Sequence, residues 1–230
     1  MGADERPTNQ TSSTSNQREF EATPLILVIC SMFDALSLQA VKWEEKNDTK
    51  DYLEDKFLYF AYGSNLLAKR IHINNPTAVR ISKAKLADYR LDFGYWSRRW
   101  KGAAATVVPH QGKHVWGAVW QMDKSDMDNL DRQEGVSSDI YFPFEVEVEK
   151  PDGKKLLCRC YQLCNTPTEL KPGQPIPEDR LPSELYLSVI IQGARETGLP
   201  NEYIEQLEKI SHNSYKGDNS TILSSLVSSS

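Results

Sequence analysis

The chain has 230 residues and a net charge of −5, with 27 Lys and Arg against 32 Asp and Glu. The two signs are interspersed, and the nearest approach to a basic block, Trp96-Ser-Arg-Arg-Trp-Lys101, is too short to form a nucleic-acid surface. That balance excludes nucleic acid as the main partner, and the length fits one domain with tails.

Residues 1 to about 22 are rich in Ser, Thr, Asn and Gln and poor in apolar side chains, a composition expected to be disordered. Leu25-Ile-Leu-Val-Ile-Cys30 is apolar but far short of the roughly 20 residues that cross a bilayer. Glu19 and Glu21 precede it where a secretory signal would carry basic residues. The charged stretch to Asp55 reads as a linker or loose helix, and the Ser-rich end after Gly217 as a second disordered tail. The expected division is a loose extension over 1–55, a folded core over 56–216 and a tail over 217–230, with the extension dispensable for the core's function. The four cysteines form no framework: Cys158, Cys160 and Cys164 sit in a predicted strand and its exit without a neighbouring His. Buried free thiols in a cytoplasmic protein are expected, and no metal site.

Phe57-Leu-Tyr-Phe-Ala-Tyr62 alternates, with Phe57, Tyr59 and Ala61 on one face and Leu58, Phe60 and Tyr62 on the other, and predicts a strand buried on both sides. It stops at Gly63-Ser64-Asn65 and passes into helical spacing over 66–73. Gly63 has access to backbone angles closed to other residues, and Ser64 or Asn65 can cap the helix. A strand, a tight turn and a helix start aim several backbone N–H groups at one spot, which favours a carboxylate or an oxyanion. The same residues also describe an ordinary strand-to-helix turn.

Further strands are predicted near 83–93, 103–108, 115–122, 140–149 and 155–163. In Tyr141–Glu149 the phenylalanines Phe142 and Phe144 and the valines Val146 and Val148 should face inward, and Pro151-Asp152-Gly153 turns the chain into the next strand. Helices are expected over 125–134, 183–196 and 201–210, and the long connection from Pro167 to Pro182 has the character of a lid or pocket rim. Strands with helices inserted between them indicate an α+β fold.

The helix at 125–134 carries a second candidate. Ser125 is placed to cap it and Gly135 to close it, and Met127, Leu130 and Glu134 share a face. With Met127 and Leu130 inside, the Glu134 carboxylate turns inward at a helix C-terminus. Burial and the helix dipole would both raise its pKa toward the range useful for proton transfer. The alternative is a Glu that reaches out to water from a frayed end.

Taken together, Tyr62-Gly63-Ser64-Asn65 and Leu130-Asp131-Arg132-Gln133-Glu134-Gly135 resemble the γ-glutamylcyclotransferase family. Leu91-Asp-Phe-Gly94, Val115-Trp-Gly-Ala-Val-Trp120, Gly193-Ala-Arg-Glu196 and Gly198-Leu-Pro200 extend the resemblance over roughly 56–216. It implies a small closed mixed β-barrel with flanking helices, and a cofactor-free lyase that releases 5-oxoproline from γ-glutamyl amino acids. It implies Glu134 as the catalytic residue, and substrate contacts from Tyr59, Phe60, Ala61, Tyr62, Gly63, Ser64, Asn65, Tyr141 and Tyr186. Tyr141 could equally be an amphipathic residue at a strand edge, whereas for Tyr186 the functional reading is favoured over a helix-edge one. The resemblance also implies a homodimer and a small-molecule γ-glutamyl substrate as partner, with no membrane. Glutathione-specific and γ-glutamylamine cyclotransferases, and a non-catalytic binding module, are the alternatives.

Overall fold

The alternating run at Phe57 forms the first strand of a closed barrel in the computed structural model, which describes residues 55–171 and 173–218. The expected extension over 1–55, up to residue 54, and most of the tail lie outside the described residues, as does Cys30. Strands β1 (Lys56–Ala61), β2 (Val79–Ser97), β3 (Gly102–Asp123), β4 (Tyr141–Glu149) and β5 (Lys155–Leu163) close in the order β1-β3-β2-β4-β5. β1 runs parallel to β5 and antiparallel to β3, with Ala61 opposite Ala118, so the barrel is mixed, as expected. Closure leaves no unpaired edge. Among the described residues four α-helices flank it: α1 (Ala68–Ile71), α2 (Met127–Glu134), α3 (Glu184–Thr197) and α4 (Asn201–Glu208). No helix among the described residues is long and apolar enough to cross a membrane.

The two predicted strands 103–108 and 115–122 are one long strand. β3 pairs along β2 from Gly102 to Gln121, interrupted where residues 110–113 swing out opposite Asp88. Asp88 Oδ1 accepts the Gly112 N–H at 2.8 Å and so closes that excursion. The Pro-His-Gln-Gly spacing therefore marks a bulge, not a strand end. At the other end of the hairpin the backbone turns through Lys101, whose φ is 52°.

The helix expected over 66–73 is shorter. Ser64–Leu66 makes a 3-10 turn, Leu67 returns to an extended backbone with ψ 122°, and only Ala68–Ile71 is α-helical. In β4, Val146 and Val148 are buried as expected, but Phe142 is exposed and its ring lies 5.6 Å from that of half-buried Phe144. Tyr141 points inward instead, because its hydroxyl has a carbonyl to bond there. Cys158 and Cys160 are buried free thiols, whereas Cys164 is exposed.

Candidate active site

Three connections bring the candidate residues to one end of the barrel. The first is the 63–66 turn after β1. The second is the start of β3, where Ala103, Ala104 and Ala105 are buried and their small side chains leave space beneath α3. The third is α2, whose last residue is Glu134. Gly135 ends that helix with φ 69°, a left-handed conformation that favours glycine, and its N–H returns to the Arg132 carbonyl at 3.2 Å. The expected Ser125 cap is not formed. Residues 124–126 make a 3-10 turn, and Asp126 uses its carboxylate to accept the Thr77 hydroxyl at 2.6 Å.

Glu134 is held by amides. Asn65 Nδ2 donates to its Oε1 at 3.2 Å and Gln133 Nε2 at 3.4 Å, while Gln133 Nε2 also donates to Asn65 Oδ1 at 3.1 Å. Asn65 is fixed in turn. Trp120 Nε1 donates to its backbone carbonyl at 3.0 Å, and its Nδ2 also reaches the Tyr59 hydroxyl at 3.1 Å. Burial pushes the Glu134 carboxyl up to about 7, a rise opposed by Arg70 and the two amide donors and assisted by Asp131. Asp131 is itself clamped by Arg159 at 2.7 and 2.8 Å and by the Tyr161 hydroxyl at 2.5 Å. A carboxyl group with a pKa near neutrality can both take up and return a proton.

The Ala105 peptide positions two tyrosines. Its carbonyl accepts the Tyr141 hydroxyl at 2.6 Å, and its N–H donates to the Tyr186 hydroxyl at 3.1 Å. Both rings are buried, and burial pushes both phenols up, Tyr186 to about 12, so they remain hydrogen-bonding hydroxyls at neutral pH. Tyr186 is anchored from its own helix as well, where Ser183 caps α3 by accepting the Tyr186 N–H at 3.1 Å.

Two connected cavities result. An inner recess of about 40 Å³ is lined by Glu134 and by Tyr59, Tyr62, Gly63, Ser64, Asn65, Tyr141 and Tyr186. An outer chamber of about 380 Å³ opens from it, and Ser64, Glu134, Tyr141 and Tyr186 form the boundary between the two. Glu134 is half-buried because it faces this open chamber. Phe60 and Ala61, expected as pocket wall, line neither cavity. Both are fully buried, and the Phe60 ring packs over Gly117. Gly63 needs no unusual angle, with φ at −107°. It is a close-approach position, because a Cβ there would lie 3.2 Å from the Tyr186 hydroxyl. No side-chain cap forms at the 3-10 turn. None of the described residues from Pro167 to Pro182 lines either cavity.

Sequence reasoning missed Arg70, Ala105, Gln133 and Tyr161. Gln133 stands inside the Glu-Gly motif and could have been found there. Ala105 acts only through its backbone, which composition does not reveal. Among the described residues no cluster of His, Cys, Asp and Glu is arranged to hold a metal ion.

Comparison with known proteins follows the same lines. The AIG2-like family profile matches residues 114–207. A Bos taurus protein named γ-glutamylcyclotransferase is 47% identical over 167 residues, covering 71% of this chain and 83% of its own. A Homo sapiens protein of the same name is 45% identical, covering 71% and 84%. A solved structure titled γ-glutamyl cyclotransferase superposes with a TM-score of 0.66 at 41% identity, covering 75% of this chain and 98% of its own. The chain belongs to the γ-glutamylcyclotransferase family.

Proposed function

We propose that residues 56–216 form the catalytic domain of a γ-glutamylcyclotransferase, which converts γ-glutamyl amino acids or dipeptides to 5-oxoproline and a free amino acid. The observation that carries this reading is a carboxyl group with a pKa of about 7 at the mouth of a recess sized for a small anionic group. Glu134 takes a proton from the substrate's α-ammonium group. The freed amine attacks the γ-carbonyl carbon and a C–N bond forms; Glu134 returns its proton to the leaving nitrogen as that bond breaks, and the surplus proton of the ring nitrogen passes to the departing amine, giving a neutral lactam and an ammonium group. The inner recess holds either the α-carboxylate or the developing oxyanion, and the Tyr141 and Tyr186 hydroxyls at its boundary keep the chain folded for attack. Geometry and one proton shuttle suffice for such an intramolecular reaction, so no cofactor is assigned. By family membership we further assign a cytoplasmic homodimer with no nucleic-acid or membrane partner.

The test is to incubate the protein with γ-glutamyl-alanine and assay 5-oxoproline, alongside glutathione and γ-glutamyl-ε-lysine. Fastest release from γ-glutamyl-alanine supports the reading. A strong preference for glutathione or for γ-glutamyl-ε-lysine moves the protein to a glutathione-specific or an amine-specific class. No product from any of them leaves a binding module. A buried carboxyl that nothing uses is a standing cost to folding, which favours the enzyme over that module.

A further inference from the structure

A buried arginine with unpartnered donor atoms lines the outer chamber. Arg70, on α1, is only 4% exposed, and its Nε and Nη1 have no hydrogen-bond partner among the described residues. Glu134 lies close enough to act on it electrostatically, but the hydrogen bonds to the Glu134 carboxylate come from Asn65 and Gln133. Burial first, and then the neighbouring Arg99, disfavour the Arg70 charge, yet a guanidinium stays ionised at neutral pH. Two buried guanidinium nitrogens with no acceptor are costly unless an acceptor arrives from outside. Arg99 and Arg132 line the same chamber, both on its exposed side. Arg132 donates to Asn129, whereas two of the buried Arg70 nitrogens have no acceptor.

Size decides what that anion is. The inner recess, at about 40 Å³, takes a group of a few heavy atoms and cannot also admit the leaving portion of a γ-glutamyl substrate. Whichever end of the glutamyl unit enters it, the leaving nitrogen must point into the chamber of about 380 Å³. If that nitrogen belongs to an amino acid, a carboxylate follows it one carbon away, in the chamber that Arg70 lines. Trp100 and Tyr95 supply apolar wall for a small side chain beside it.

We propose that the outer chamber is the leaving-group subsite and that Arg70, assisted by Arg99, binds the α-carboxylate of the departing amino acid. The inference rests on the reaction proposed above and adds the residue that selects amino-acid over plain amine leaving groups. A site built to pair a buried donor rejects an analogue that lacks the acceptor.

The experiment compares γ-glutamyl-alanine with γ-glutamyl-ethylamide, the same compound without its terminal carboxylate, by 5-oxoproline release. Wild-type protein should favour γ-glutamyl-alanine by about tenfold or more in kcat/KM. In Arg70→Gln and Arg99→Gln that ratio should collapse toward one, with the loss carried by KM for the alanine substrate. Arg99 is exposed, so its substitution reports on the chamber even if Arg70→Gln folds poorly. Equal use of both compounds by wild type, or an unchanged ratio in both variants, would overturn the leaving-group role alone. A shifted pH profile with both substrates equally slowed in Arg70→Gln would make Arg70 a tuner of Glu134 instead. No 5-oxoproline from either compound would overturn the reaction and this subsite with it.

Discussion

Glu134 is the residue on which chemistry and stability meet. Its carboxyl rises from 4.5 to about 7, which corresponds to about 3 kcal/mol between the two protonation states. The folded protein therefore holds this proton where the unfolded chain has released it. The contribution to stability is complete below about 4.5, shrinks as pH rises, and is lost above about 7. Glu134→Gln cannot titrate, so its melting temperature should gain on wild type across that window and level off above it. A constant difference at all pH values would mean that the carboxyl is not perturbed. Asn65 lowers the Glu134 pKa through its amide, so Asn65→Ala should move the acid limb of the kcat/KM profile to higher pH. A limb that stays in place would remove Asn65 from the proton-handling group. The spacing of Met127, Leu130 and Glu134 was enough to turn this carboxylate inward on paper. That Asn65 and Gln133 jointly hold it was not visible, because those two residues are far apart in sequence and meet only through the tertiary fold. Arg70 was hidden for another reason: in Ala-Lys-Arg-Ile it has the look of a solvated helix residue, and only its burial marks it.

At the level of elements, the turn after β1 is the unit that sequence described best and explained least. Tyr-Gly-Ser-Asn marks the place, but the expected capped helix is a 3-10 turn broken at Leu67. Its glycine is required by a neighbour, since Tyr186 comes from α3, more than a hundred residues later. Gly63→Val should push the Tyr186 hydroxyl off the Ala105 N–H and raise KM or cut turnover by about tenfold or more, the cost of one misplaced polar contact at a site. Its melting temperature should change by only a few degrees. Unchanged kinetics would take the turn out of the site. Strand alternation found β1 but could not say which residues in and just after it border a cavity. Tyr59 and Tyr62 reach the recess, while Phe60 and Ala61 fill the core.

For the molecule as a whole, the site depends on α3 being seated against the turn. Gly193, in the middle of that helix, is where the two touch: a Cβ there would come within 2.4 Å of the Leu67 backbone nitrogen. Gly193→Val should therefore separate the helix from the turn and cost about 1–3 kcal/mol by overpacking. Calorimetry should read this as a melting temperature lower by about 2–10 °C for a domain of this size. Wild-type melting and kinetics together would show that α3 can shift without consequence. The class of fold was legible, because alternating strands separated by short helices leave few options, and the family motifs narrowed it to a barrel. Its long β2–β3 hairpin was not, since a bulge at residues 110–113 carries the polar, glycine-containing composition of a strand end.

The most direct test of Glu134 as the proton shuttle is the rate of 5-oxoproline release from γ-glutamyl-alanine by Glu134→Gln. Glutamine keeps the size and the hydrogen bonds and removes the proton acceptor, so turnover should fall by about 10²–10⁴-fold while substrate binding, followed by calorimetric titration, persists. A variant that releases 5-oxoproline at near the wild-type rate would make Glu134 a structural residue and contradict the mechanism.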